Sequence, residues 1–160
     1  MSGDDDEPRN YASSPCFAGE LEAEPMPLEE LLSRLNVLVE SERAGTRGLL
    51  AMAHRSEGTE LEPVLHDIAR DEARFCSMLS HHVSRLGGSP SHETGEFLEK
   101  LLKRPTLAAQ LSLVDRGQRA VVDMVDAIIP RVDDPLLRQD LVTMRDEHIV
   151  NLARAASVSE

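Results

Sequence analysis

Four stretches of the chain carry apolar residues at alternating steps of three and four, and near its middle each stripe is broken by one polar residue. That period is the signature of a helix with one buried face. The first stretch, about 28–54, places Leu28, Leu31, Leu35, Leu38, Glu42, Gly45, Leu49 and Met52 on one line. The second, about 60–86, places Leu61, Leu65, Ile68, Glu72, Phe75, Leu79, His82 and Leu86. Leu107, Leu111, Val114, Gln118, Val121, Val125 and Ile128 form the third, about 106–129, and Leu137, Leu141, Met144, His148 and Leu152 the fourth, about 134–156. The punctuation agrees: Pro27 suits a helix start, Thr106 suits an N-cap, and Gly87-Gly88 and Pro130 suit ends.

Four such helices predict an all-α four-helix bundle over residues 28–157. Short connections join the first helix to the second and the third to the fourth, so each pair forms a hairpin. The 19 residues from Gly87 to Pro105 are too many for a turn, and Phe97 to Leu102 reads as a short helix within a long crossover. Residues at mid-helix meet at one level however the neighbours run. Glu42, Glu72, Gln118 and His148 therefore converge in one layer. Buried carboxylates there need a shared proton, an opposite charge or a cation.

Composition narrows the function. Seventeen Lys and Arg against 29 Asp and Glu give a net charge of −12, which repels a phosphate backbone, so no nucleic-acid partner is expected. The aromatic residues are only Tyr11, Phe17, Phe75 and Phe97, too few for a base-stacking platform. Cys16 and Cys76 lack the Cys-x-x-Cys spacing of a zinc or redox pair. No apolar run reaches membrane-spanning length and the start shows no export signal, so a cytoplasmic protein is expected. Residues 1–27, with seven acids, one Arg and four Pro, predict a disordered acidic tail. Within it Tyr11 to Leu21 has the character of a short strap that docks on its own bundle or on a partner. His54, His66, His81 and His82 read as solvated, and Asp71, Asp115, Asp123 and Asp126 beside arginines read as charged faces.

The runs PLEELLSRLNVLVESERAG, RDEARFCSMLSHHVSRLGGSP, RGQRAVVDMV and RDEHIVNLAR, spread over about residues 26–156, resemble the ferritin-like superfamily in its rubrerythrin-like branch, and most closely an uncharacterised bacterial family there. That resemblance implies a dimetal centre with one Glu from each of two helices and a Glu-x-x-His from each of the other two. By position, Glu42 matches the first lone Glu and Gln118 replaces the second. Glu72 is kept with Phe75 in its His position, and His148 is kept with Arg145 in its Glu position. Three of the six ligands are lost, which removes the charge that two irons require.

Two readings stay open. In one the centre is metal-free, Arg145 stands in for the lost cations, and the protein is a non-catalytic accessory or interaction protein, self-associating as a homo-oligomer. In the other Glu42, Glu72 and His148 hold one divalent Fe, Mn or Zn ion and the role is of oxidoreductase type.

Overall fold

The computed structural model describes residues 23–158, and these are helical with no strand. Five α-helices follow in order: α1 Leu28–Arg55, α2 Leu61–Arg85, α3 Phe97–Leu102, α4 Leu107–Ile128 and α5 Pro135–Val158, with a 3-10 turn Ile129–Arg131 between the last two. No described helix is long and apolar enough to cross a membrane. Of the acidic tail expected over residues 1–27, residues 1–22 with Tyr11 to Leu21 lie outside the described range, and only 23–27 are described.

The ends form where local chemistry places them. Glu29 and Glu30 lie in the first turn of α1 behind Pro27, complementing the exposed N–H groups there. Thr106 caps α4 by accepting from Ala109 N at 3.1 Å. Asp134 does the same for α5, accepting from Leu137 N at 2.9 Å. Pro130 stops α4, since it cannot continue the backbone ladder. The chain before α1 is tied to that stop: Met26 N donates to Arg131 O at 2.8 Å, Arg131 Nε donates to Glu24 O at 3.1 Å, and Met26 is buried.

Two apolar clusters fill the interior. One gathers Leu35, Leu38, Phe75, Leu79, Val125, Leu137, Leu141 and Met144. The other gathers Leu49, Met52, Leu65, Ile68, Leu101 and Val114. In sequence, the first three stripes pass from one cluster to the other through their polar residue, and α5 leaves the first cluster at Met144 and reaches the second through the partly buried Ala155 and Val158. The crossover runs beside α1, held by Asn36 Nδ2 to Ser89 O (3.1 Å), Ser91 Oγ to Glu40 Oε1 (2.6 Å) and Arg43 Nη1 to Glu93 O (2.8 Å). Gln110, buried on α4, fixes the end of α3 by donating to Leu101 O at 3.2 Å while accepting from Arg55 at 2.8 Å.

The stripes depart from the sequence reading in places: Leu28 is exposed, and Leu107 and Leu111 are only half-buried. On α5 the buried line continues from His148 to Asn151, and Leu152 is only half-buried. Asn151 is drawn inward because its Nδ2 donates to Asp71 Oδ2 of α2 at 3.0 Å, which a leucine could not do. Nearby, Arg154 to Asp67 (2.9 Å) and Arg74 to Glu147 tie the same two helices from outside.

Candidate polar centre

Glu42 of α1, Glu72 of α2, Gln118 of α4 and His148 of α5 meet in the interior, with relative exposures of 1%, 4%, 6% and 1%. All four convergent residues expected from the sequence are thus buried, and they pair across helices. Gln118 Nε2 donates to Glu72 Oε1 at 2.8 Å. His148 Nε2 lies 3.2 Å from Glu42 Oε1, while its Nδ1 lies 3.0 Å from the carbonyl of Met144 one turn earlier. A carbonyl can only accept, so Nδ1 carries a proton and the ring is oriented with Nε2 toward Glu42. The ring leans on Phe75, centroids 5.3 Å apart, where the resemblance implies a second histidine.

The contact between Nε2 and Glu42 Oε1 is an ion-pair approach and not a hydrogen bond. Nε2 and Glu42 Oε2, both buried, therefore have no hydrogen-bond partner. Glu42, Glu72, Gln118 and His148 all line a cavity of about 160 Å³, closed further by Phe97, Val114, Val121 and Met124.

Gly45 is part of the construction. A Cβ built on it would lie 1.7 Å from Glu72 Oε2, so the Glu72 carboxylate occupies the space of the side chain that Gly45 lacks. Only glycine permits that approach. The sequence marks Gly45 by its place on the α1 stripe, one turn beyond Glu42.

Burial dominates the electrostatics. Loss of water pushes Glu42 upward, opposed by its interaction with the neighbouring His148. It pushes Glu72 well above the ordinary carboxylate range, with the Glu42 carboxylate adding to the rise and Gln118 opposing it. For His148 burial alone would lower the value, but the Glu42 carboxylate outweighs it and the net direction is up. Protons are held more tightly at all three groups than in water.

Arg145 is elsewhere, which corrects the expectation that it neutralises the centre. Its Nη1 pairs with Asp126 Oδ1 at 3.2 Å and its Nη2 with Asp146 Oδ1 at 3.0 Å, on the outside of α4 and α5. The inward line of α5 passes through Met144 and His148, and Arg145 stands about 100° around the helix from Met144. From there a guanidinium keeps its hydration and two carboxylates, which costs less than entering the core.

A dimetal set does not fit these residues: Phe75 cannot ligate, Arg145 is outside, and Gln118 turns an N–H donor to the site. Among the described residues no three His, Cys, Asp or Glu side chains are gathered where one ion could be shared as they stand.

The remaining histidines divide. His54, His66 and His81 are exposed as expected, but His82 is buried. Its Nε2 lies 2.7 Å from Asp140 Oδ2 and its Nδ1 2.9 Å from Arg85 Nη2. Because a guanidinium only donates, Nδ1 is the acceptor and Nε2 the donor to Asp140. Arg85 also grips Asp134 through both nitrogens at 2.8 and 2.9 Å, so the cluster pins α2 to the start of α5 and leaves no ring nitrogen open. The position of His82 on the second stripe was the sequence signal for its burial. Cys76 is half-buried and unpaired by disulfide, with burial raising its thiol above the ordinary range.

No curated protein matches the chain. A family model fits residues 29–157, nearly the whole described region with all four residues of the polar layer, and the chain belongs to that family, described as a domain of unknown function (DUF6306).

Proposed function

We propose that this chain is a ferritin-like four-helix bundle with a degenerate dimetal centre, serving as a non-catalytic accessory or interaction protein in the cytoplasm. The observation that carries this reading is the Gln118 to Glu72 hydrogen bond at 2.8 Å. One carboxylate of the layer is committed to an amide donor and seated on Gly45, while the other faces His148, so each carboxylate has a partner within the chain. His148, not Arg145, is the internal cation. Exposed Leu136, Ile149 and Val150 on α5 support self-association as a homo-oligomer, and Tyr11 to Leu21 remains the segment proposed to dock a protein partner.

Elemental analysis of the purified chain tests this reading. Much less than one metal per chain, with no rise in melting temperature on adding Fe(II), is expected. Stoichiometric metal that disappears in Glu72→Ala would overturn it.

A second reading is favoured by the buried, unpartnered Glu42 Oε2 and His148 Nε2 beside the cavity. In it Glu42, Glu72 and His148 hold a single Fe, Mn or Zn ion, with Glu72 turning from its Gln118 contact to join. Such an ion would supply Lewis-acid or one-electron chemistry for an oxidoreductase-type role. The Nδ1 contact with the Met144 carbonyl would then fix the ring for ligation through Nε2.

A further inference from the structure

The charges of the polar centre do not cancel by themselves. It holds two carboxylates, Glu42 and Glu72, and one group able to carry positive charge, His148, since Arg145 is bound at the surface. With both carboxylates ionised, one negative charge is left over in the interior. A proton or a guest cation must balance it, because an uncompensated buried charge is too costly to keep.

The space beside these groups has the form of a site. The cavity of about 160 Å³ has a polar floor of Glu42, Glu72, Gln118 and His148, and Glu42 Oε2 on that floor is buried without a hydrogen-bond partner. Its wall is apolar: Phe97, Val121 and Met124. The Phe97 ring stands against Gly117, where a Cβ would come within 2.9 Å of it.

Each kind of guest meets these surfaces differently. An anion is repelled by the floor. A bare metal ion needs several converging lone pairs, but no three acidic or imidazole groups converge as they stand and Gln118 offers an N–H. Water satisfies the floor but not the apolar wall. An ammonium group carries the donors that Glu42 Oε2 and Glu72 accept, and a short alkyl chain covers the wall beside a ring whose face attracts cations.

We infer that this cavity binds a short primary alkylammonium ion, with the ammonium on Glu42 and Glu72 and the chain against Phe97, Val121 and Met124. The inference rests on the metal-free reading of the centre.

The test is calorimetric titration and thermal melting of the full chain after treatment with EDTA, using n-butylammonium chloride as the probe. Ethylammonium, octylammonium, butyrate and n-butanol are the comparisons. Saturable binding is expected for n-butylammonium, about tenfold tighter than for octylammonium or the alcohol, and none for butyrate. Glu42→Gln should weaken it at least about tenfold, and Met124→Trp, which fills the wall, should abolish it. If Glu42→Gln does not fold, the chain-length series on the unaltered protein decides. No saturation at millimolar concentration, equal binding of butyrate, or binding that survives both variants would overturn the inference. Elemental analysis of the untreated protein tests the metal-free reading separately: stoichiometric metal overturns that reading, whereas metal-free protein that ignores n-butylammonium overturns this inference alone.

Discussion

Gly45→Ala is the substitution whose effect follows most directly from the geometry. In an exposed helix it would stabilise, since alanine exceeds glycine by about 1 kcal/mol in helix propensity. Here the new Cβ would lie 1.7 Å from Glu72 Oε2, well inside contact distance, so the carboxylate must leave its seat or α1 and α2 must part. Overpacking of this kind costs roughly 1–3 kcal/mol. Displacing Glu72 also breaks its 2.8 Å bond from Gln118, worth about 1.5–3 kcal/mol when the carboxylate is ionised. Setting the propensity gain against both losses leaves a destabilisation of about 1.5–5 kcal/mol, large for a glycine-to-alanine change in a helix. The assay is urea denaturation of a double-mutant cycle with Glu72→Ala. Removing Glu72 removes the obstacle, so Gly45→Ala in the Glu72→Ala background should recover the propensity gain and become neutral or stabilising. The coupling between the two sites should then be at least about 2 kcal/mol. A Gly45→Ala variant as stable as the parent, or equal effects in both backgrounds, would refute the claim that Glu72 occupies the glycine notch.

Two other outcomes follow. Arg145→Met should leave the melting temperature essentially unchanged at any metal concentration, because its partners Asp126 and Asp146 are solvated; a large loss in thermal melts would return Arg145 to the core. Stability should fall as pH rises above the acid range, because the folded state holds Glu42 and Glu72 above the ordinary 4.5 and His148 above the ordinary 6.5, and so binds more protons than the unfolded chain. The favourable difference is complete below 4.5 for the carboxylates and is lost as pH passes through their raised folded values; the His148 share is complete below 6.5 and lost higher. Glu72→Gln should flatten this slope, with its gain greatest at alkaline pH, and denaturation curves from pH 5 to 9 that stay parallel for parent and variant would contradict the sign worked here.

Helix spans and their inward faces are local properties, and the spacing of Leu, Val, Ile and Met along the chain carries them. So do the stops at Gly87 and Pro130 and the cap at Thr106, each set by the backbone preferences of one residue. The convergence of Glu42, Glu72, Gln118 and His148 was legible for the same reason: each sits on an apolar stripe near mid-helix, and stripes of similar length bring their middles together. What lay beyond the sequence is which groups touch. Arg145 and Met144 both precede His148 by about one turn, three and four residues back, so spacing places either near the same face. The few tens of degrees by which α5 is rotated choose between them, and contacts with other helices set that rotation: Asn151 on Asp71, Met144 among the apolar side chains, and Arg145 on Asp126. The seat of Glu72 against Gly45 and its bond to Gln118 likewise join residues 27 and 46 positions apart. Periodicity fixes the face each helix turns inward, but only packing three partners against it fixes where a buried carboxylate finds its hydrogen bond.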